Sequence, residues 1–436
     1  MRKKIVYSIV TFIIVLVLSF TFISKYKVVN HIPIQIKNLM PDFIVSKYVQ
    51  LSNFLNKKKV PDNFLYNVLL LPETQFANLN FEQKSLITDE NKSNDMIFKK
   101  NNSSERFFVD VFNENVILST FDGNLYYFLQ DKITEHKKKK LKLSLIETNL
   151  KKYKKLKIID AYVENDDIFI STYQGDKFEE HCNFRILHSK LNLIKVDFER
   201  IFIIPGCINS TIQGGRIQSI DLDGNRGLIF TTAANNLDNV NQNPQNDESF
   251  FGKILYLNLD TKEIKIFSKG HRNPQGLFVK NNIVLSTEHG PEGGDEINLI
   301  KRYKNYGWPI ASYGKPYKSK NKDYLKNHEI NGFEEPIYTY FPAIGISDLI
   351  EIPEKFLQIK DLNNLFFVSS LMGRSLHLTK FSKNYEKVLF SEKIYLNRVI
   401  RDLKYIEKYN LFILSLGRNN IDSPSQLGIL SLKKNR

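Results

Sequence analysis

Apolar and polar positions alternate along most of this chain in a pattern that repeats. A β-type apolar run, a short polar turn and a second apolar run closing on Ser or Thr recur at 109–120, 158–172, 217–232, 277–287, 349–370 and 400–415. Ser119, Ser171, Thr231, Ser286, Ser369 and Ser415 are equivalent points in these units, and their spacing of roughly fifty residues suits a radially repeated sheet with four strands per blade. The pattern therefore predicts an all-β fold, a six-bladed β-propeller of four-stranded antiparallel sheets. Unrelated strand pairs stacked as a β-sandwich are the alternative. One interval is longer than the rest and marks an insertion at 315–342, rich in Lys, Asn, Tyr and Pro, which is expected to overhang a central cavity. In such a ring the site is assembled from residues far apart in sequence.

The pattern changes at the N-terminus. Residues 5–23 form an almost unbroken apolar run behind Arg2, Lys3 and Lys4. At a helical rise of about 1.5 Å per residue it approaches the thickness of a hydrocarbon core. An N-terminal transmembrane helix kept as an anchor is favoured over a cleaved signal peptide, because no small-x-small pattern follows it. Either way the body is expected outside the cytoplasm, in a periplasmic or equivalent space, and membrane contact is expected through this helix. The chain divides into 1–27, anchor or signal; 28–64, a membrane-proximal stalk in which Ile44, Tyr48, Leu51 and Leu55 fall at helical spacing; and 65–436, the propeller.

Composition adds two points. The 436 residues carry 62 Lys and Arg against 47 Asp and Glu, a formal charge of +15. The lysines are scattered between strands and no nucleic-acid motif accompanies them, so they read as a solvated surface and no nucleic-acid partner is expected. The only two cysteines, Cys182 and Cys207, read as a disulfide in an exported body, with two buried thiols as the alternative. There is no CxxC and no Cys/His cluster with zinc spacing.

Candidate chemistry concentrates in one stretch. Gly270-His271-Arg272-Asn273-Pro274-Gln275-Gly276 is followed by Thr287-Glu288-His289-Gly290-Pro291-Glu292-Gly293-Gly294-Asp295-Glu296, then Asn305-Tyr306-Gly307-Trp308-Pro309 and Ser312-Tyr313-Gly314. Charged groups inside glycine- and proline-rich turns build a binding rim. This wording resembles the glucose/sorbosone dehydrogenase family, soluble aldose sugar dehydrogenases that use pyrroloquinoline quinone (PQQ) and calcium. The resemblance extends from about residue 105 to near the C-terminus. It implies a six-bladed propeller and a sugar hydroxyl oxidised by hydride transfer to PQQ, with electrons passed on to a membrane acceptor. It implies cofactor contacts at Arg272, Asn273, Gln275, Tyr338, Phe341, Arg398 and Arg401. Calcium is implied on the carbonyls of Gly290 and Pro291, and a second, structural calcium near Asp295 and Glu296.

The sequence also departs from the family. Its general-base histidine corresponds to Ile212 of Ile212-Gln213-Gly214-Gly215-Arg216-Ile217, and isoleucine accepts no proton. A cofactor-neutralising lysine corresponds to Met372, an upstream glycine-rich loop is replaced by residues 149–156, and Arg398 and Arg401 are one residue too far apart. His289, with His181 and Glu288 behind it, is the reserve base; Lys301, Arg302 and Lys315 are reserve cations. Three readings follow: a PQQ- and calcium-dependent sugar dehydrogenase, a catalytically retired propeller that binds a carbohydrate or another small ligand, and an interaction propeller with an empty channel.

Overall fold

The computed structural model describes residues 79–88, 106–135 and 139–432, apart from 176–180, 209–212, 236–241, 318–322, 358–362 and 418–424. The anchor, the stalk and Ile212 lie outside the described residues. Among the described residues no helix is long and apolar enough to cross a membrane.

The described residues form twenty-five strands. β1 is Leu79–Thr88. A first sheet holds β2 (Phe107–Phe112), β3 (Asn115–Thr120), β4 (Leu125–Leu129) and β5 (Lys140–Thr148). A second holds β6 (Leu156–Glu164), β7 (Asp167–Gln174), β8 (His181–Lys190) and, after the short β9 (Lys195–Val196), β10 (Glu199–Ile208). A third runs β11 (Gly214–Leu222), β12 (Asn225–Thr232), β13 (Lys253–Asn258), β14 (Ile264–Lys269), and a fourth β15 (Pro274–Lys280), β16 (Ile283–Glu288), β17 (Asp295–Leu299), β18 (Tyr338–Tyr340). The fifth is β19 (Ile346–Glu351), β20 (Leu365–Ser370), β21 (Ser375–Phe381), β22 (Val388–Tyr395); the sixth is β23 (Val399–Ile406), β24 (Leu411–Gly417), β25 (Gln426–Leu432), completed by β1.

The first strands β2, β6, β11, β15, β19 and β23 each touch the next, and β23 touches β2, so they close a ring in a propeller-like fold. One detail differs from six separate fans. β1 pairs antiparallel with β25 through its first half and parallel with β5 at Ser85–Thr88, which fuses the sixth and first sheets into one nine-stranded sheet. A strand from before the first sheet thus finishes the last one. This removes an exposed edge at the seam.

The six equivalent Ser and Thr positions all fall on second strands and all are buried. Three of the hydroxyls reach across to the first strand of the neighbouring sheet: Ser171 donates to Gly215 O, Thr231 to Pro274 O and Ser415 to Phe107 O, while Ser286 and Ser369 donate within their own sheets to Gly276 O and Asp348 O. Where the hydroxyl crosses, it satisfies a main-chain carbonyl of the next sheet where no ladder continues. Between sheets the space is filled by Leu, Ile, Val and Phe, as in the cluster around Phe356, Phe367 and Phe412. Most of the insertion falls in the long connection between β17 and β18 of the fourth sheet, and Trp308 and Tyr324 of that connection pack on Ala233 and Ala234 after β12. Cys182 and Cys207, register partners on β8 and β10, form a disulfide.

One buried titratable group outside the ring's centre predicts acid behaviour. His377 on β21 packs edge-on to Tyr340 at 5.0 Å, and burial, helped by Lys393, pushes its imidazole down to about 4. An unfolded histidine titrates near 6.5, so as pH falls from there toward 4 the unfolded chain takes up a proton that the folded one refuses. Stability is therefore full above that window and lost within it. His377→Gln is expected to shrink the loss between pH 7.5 and 4.5 by about 2–3 kcal/mol, read from urea midpoints. Parallel acid limbs for the two proteins would show that His377 does not set it.

Candidate functional site

The site begins with how the turn at 270–275 is held. Gly270 has φ +79°, and a Cβ there would lie 2.2 Å from Asn305 Oδ1 and 2.6 Å from Gly307 N, so only glycine lets the segment around Tyr306 close over it. Trp308 N donates to Gly270 O at 2.9 Å, Tyr306 N donates to Lys269 O at 2.8 Å, and the Tyr306 ring stacks on His271 at 4.8 Å. From the opposite side Glu288, the last residue of β16, accepts from the main-chain N–H of Arg272 and of Asn273, and pairs with His271 Nδ1 at 3.0 Å. That carboxylate is spent on the turn, which removes it as a base.

Arg272 leaves the turn between two rings. Its guanidinium carbon lies 5.3 Å from the Trp308 centroid and 5.7 Å from that of Tyr317; Nη1 donates to His289 O at 3.1 Å and Nε has no partner. Asn273 beside it is a pin rather than a free ligand: Oδ1 accepts from Gln213 N (3.1 Å), Gly214 N (3.3 Å) and Gln275 Nε2 (2.8 Å). Its Nδ2 points at His289 Nδ1, 3.4 Å away, and His289 Nε2 donates to Ile346 O at 2.5 Å. Both imidazole nitrogens are therefore engaged, and burial holds the ring below its ordinary pKa with Arg272 and Arg401 adding to the effect, against Asp295. His289 clamps the fourth sheet to the fifth, and the expectation of a reserve base there fails on geometry.

The cleft beside this turn is a narrow, partly open recess of about 30 Å³, lined by Arg106, Gln213, Arg216, Gln275, Leu371 and Arg401, among others. Arg401 on β23 is recessed; burial, and then the charge of Arg106, push its guanidinium down to about 9, and Nε has no partner. Burial brings Arg398 down to about 10 and lowers Arg106 as well. Among the described residues no carboxylate pairs with Arg106, Arg272 or Arg401. Guanidinium groups kept partly desolvated without counter-ions form a site for an anion. Arg106 and Gln213 were not singled out from sequence. The signal for Gln213 was its place next to Ile212; for Arg106 there was none.

Below the cleft one side chain ties the ring together. Close approach of β11 to β6 requires Gly215, whose Cβ would lie 2.6 Å from Ile159 Cγ2. The next residue, Arg216, donates from Nε to Gln275 O (2.6 Å), from Nη1 to Asp402 Oδ1 (2.7 Å) and Asp160 Oδ1 (3.1 Å), and from Nη2 to Arg401 O (2.8 Å). Asp348 is 3.9 Å away. Burial alone would lower this guanidinium, but Asp348, Asp402 and Asp160 raise it and keep it charged. Burial also pushes Asp160 up to about 6, against the pull of Arg216 and with a push from Asp402. The carboxylates also bind main chain. Asp160 Oδ2 accepts from Ile217 N, Asp402 Oδ2 from Val109 N and Asp110 Oδ2 from Val163 N, each reaching the next sheet.

Other expected site residues stand elsewhere. Tyr338 is on the outermost strand β18, T-stacked on Tyr340 at 4.8 Å in the core between the fourth and fifth sheets. Phe341 is 61% exposed and Met372 81% exposed; Leu371, not Met372, lines the cleft. Lys301 and Arg302 are paired with Glu334 and Asp223. Asp295 staples its loop, with Oδ1 accepting from Gly290 N and Oδ2 from Ile344 N and Ile346 N. Glu296 is pushed well above the usual carboxylate range by burial and by Glu288. Tyr317 Oη donates to Pro291 O at 3.2 Å. Among the described residues no three His, Cys, Asp or Glu gather to hold a metal. The second, structural calcium expected on Asp295 and Glu296 finds no free oxygen on Asp295, since both accept from main-chain N–H groups of the loop and of the segment leading into β19.

The ring of four-stranded sheets and its arginine-lined cleft place the chain in a class with known solved structures. It is similar to the soluble aldose sugar dehydrogenase from Escherichia coli in the apo-form, with TM-score 0.62 and 20% identity over 81% of this chain and 100% of that one. The PQQ-bound aldose sugar dehydrogenase from Streptomyces coelicolor follows with TM-score 0.54 and 16% identity over 81% and 99%. At these identities the likeness concerns the fold. In sequence, residues 156–420 match the family described as Glucose / Sorbosone dehydrogenase, and the chain belongs to that family. It is 32% identical over 172 residues to aldose sugar dehydrogenase YliI of Escherichia coli (strain K12), covering 35% of this chain and 44% of the relative. It is 44% identical over 84 residues to quinoprotein glucose dehydrogenase B of Acinetobacter calcoaceticus, 16% and 18% of the two chains. The matches thus span less than half the length of these curated relatives.

Proposed function

We propose that this protein is a PQQ-binding sugar dehydrogenase of its family, held to a membrane by its N-terminal helix with the ring outside the cytoplasm. The observation that carries the reading is the cleft lined by Arg106 and Arg401, neither of which has a carboxylate partner among the described residues, with Arg272 on the adjoining turn likewise unpaired. PQQ bears three carboxylates, and when bound it supplies a quinone that accepts hydride from a sugar hydroxyl. In this reading Arg272, fixed between Trp308 and Tyr317, and Arg401 hold carboxylates, Gln275 faces the same space, and Asn273 and Glu288 keep the turn in place. The disulfide between Cys182 and Cys207 agrees with an oxidising compartment. A calcium ion on the Gly290 and Pro291 carbonyls belongs to the proposal only if the Tyr317 hydroxyl gives way at Pro291.

A second reading, a retired propeller that keeps its ligand but not its turnover, is favoured by one set of facts. Ile212 stands at the family's base position, and Glu288 and His289 are both committed to holding loops. Titrating the purified full chain in detergent with PQQ, with and without calcium, separates the readings. Saturable uptake with aldose-dependent dye reduction is the expected result. Uptake without reduction of the dye leaves the retired propeller, and no uptake at millimolar PQQ overturns both.

A further inference from the structure

We infer that Arg106 is a carboxylate-binding residue of the cleft, and that with Arg401 it supplies the positive charge that is missing at Met372. This rests on the cofactor reading above. Arg106 comes from the lead-in to β2, on the opposite side of the seam from Arg401 on β23, and the two line one cleft.

Neither Arg106 nor Arg401 has a carboxylate partner among the described residues, yet the two are close enough for Arg106 to depress Arg401. Like charges in a recess repel, and a fold that needed only packing there would carry neutral side chains. Their joint presence is explained by an anion between them. What holds Arg106 is neutral: Nη1 donates to Gln213 Oε1 at 3.0 Å, and the guanidinium lies 5.0 Å over the Phe121 ring.

Gln213 is itself fixed on three sides. Its main-chain N–H reaches Asn273 Oδ1, its carbonyl accepts from Tyr173 Oη at 3.1 Å, and its side-chain nitrogen faces His181 Nδ1 at 2.9 Å. The guanidinium is thus aimed before any ligand arrives, with one donor used on a neutral amide. Such preorganisation is what a planar carboxylate selects for in arginine over lysine. Met372, by contrast, is 81% exposed and carries no charge, so the cation of this cleft enters from the first sheet instead of the fifth.

The protein provides its own reporter, since Trp308 is the single tryptophan and sits against Arg272. Quenching of its fluorescence by added PQQ measures binding without turnover. For the full chain in detergent, Arg106→Gln is expected to weaken PQQ binding about tenfold to a hundredfold, the effect of losing charge-assisted hydrogen bonds. Arg106→Lys is expected to lose about threefold to tenfold, because the charge stays and the fork does not. The melting temperature of ligand-free Arg106→Gln is expected to match or exceed that of the parent, since one of two repelling cations is gone; a structural arginine would lower it. Equal PQQ affinity in parent and Arg106→Gln overturns the inference while leaving the cofactor reading intact. A parent protein that PQQ does not quench overturns the cofactor reading itself. Should Arg106→Gln fail to fold, Arg106→Lys decides: unchanged affinity overturns the inference and the stated loss supports it.

Discussion

Replacing Arg216 by methionine is expected to cost about 3–5 kcal/mol of stability at pH 8, the usual result of removing one partner from a buried ionic network. Methionine fills similar space but offers no donor to Asp160, Asp402, Gln275 O or Arg401 O, all of which Arg216 now serves. Asp160, Asp348 and Asp402, on three first strands, would then lose the guanidinium they share. The native pKa values of Asp160 and Asp348, already raised by burial, would climb further, and a raised acid loses stability as pH rises through the gap between its unfolded and folded values. The deficit should therefore be largest at pH 8 and partly recovered at pH 5, where protons replace the guanidinium. Urea denaturation at both pH values measures it. A deficit that does not change with pH would mean that Arg216 acts through packing and not through these carboxylates. Lysine is expected to rescue little, because a single ammonium cannot reach four acceptors in a plane.

Changing Ile212→His is expected to raise aldose-dependent dye reduction of the PQQ-loaded protein by about a hundredfold to ten-thousandfold, the span that a positioned general base supplies. The reasoning is local. Gln213, the next residue, is bonded to Arg106, His181 and Asn273 and lines the cleft. An imidazole introduced beside it would titrate near 6.5 if unperturbed, and the gained rate should rise with pH through that region. PQQ affinity, read from Trp308 fluorescence, should not change. A parent protein that already turns over as fast as the variant would show that another group abstracts the proton, and would end the retired reading.

Much of the architecture was legible without coordinates, and the particular residues show why. The closing hydroxyls at Ser119, Ser171, Thr231, Ser286, Ser369 and Ser415 all fall on buried second strands, one per sheet, so the repeat shows at a roughly fixed interval in the chain. The loops that carry the family likeness were legible for a related reason: Gly270, Glu288 and Tyr306 all close on the one turn at 270–273, so the motif is a set of short segments that pack together. The fused seam was not legible, since β1 pairs with β25 and β5, hundreds of residues away from one of them and joined by no local pattern.

What each side chain does was less legible than where it stands. Asn273, His289 and Asp295 were expected to serve a cofactor, a proton transfer and a metal respectively, but their polar atoms bond to main-chain groups of other segments. Tyr338 carries the right chemistry on the wrong strand, packed between the fourth and fifth sheets. Arg216 and its aspartates were missed because single charges on strands look like ordinary polar positions until the ring places four of them on one level.

By itself the sequence determined the repeat, the paired cysteines and the loops that mark the family, since each is a relation among residues close in the chain or repeated at a fixed interval. Only the tertiary structure decided which charges are neutralised and which are left for a ligand. Whether Arg216 meets three carboxylates, or Arg106 and Arg401 meet none, depends on distances across the ring that no local pattern encodes.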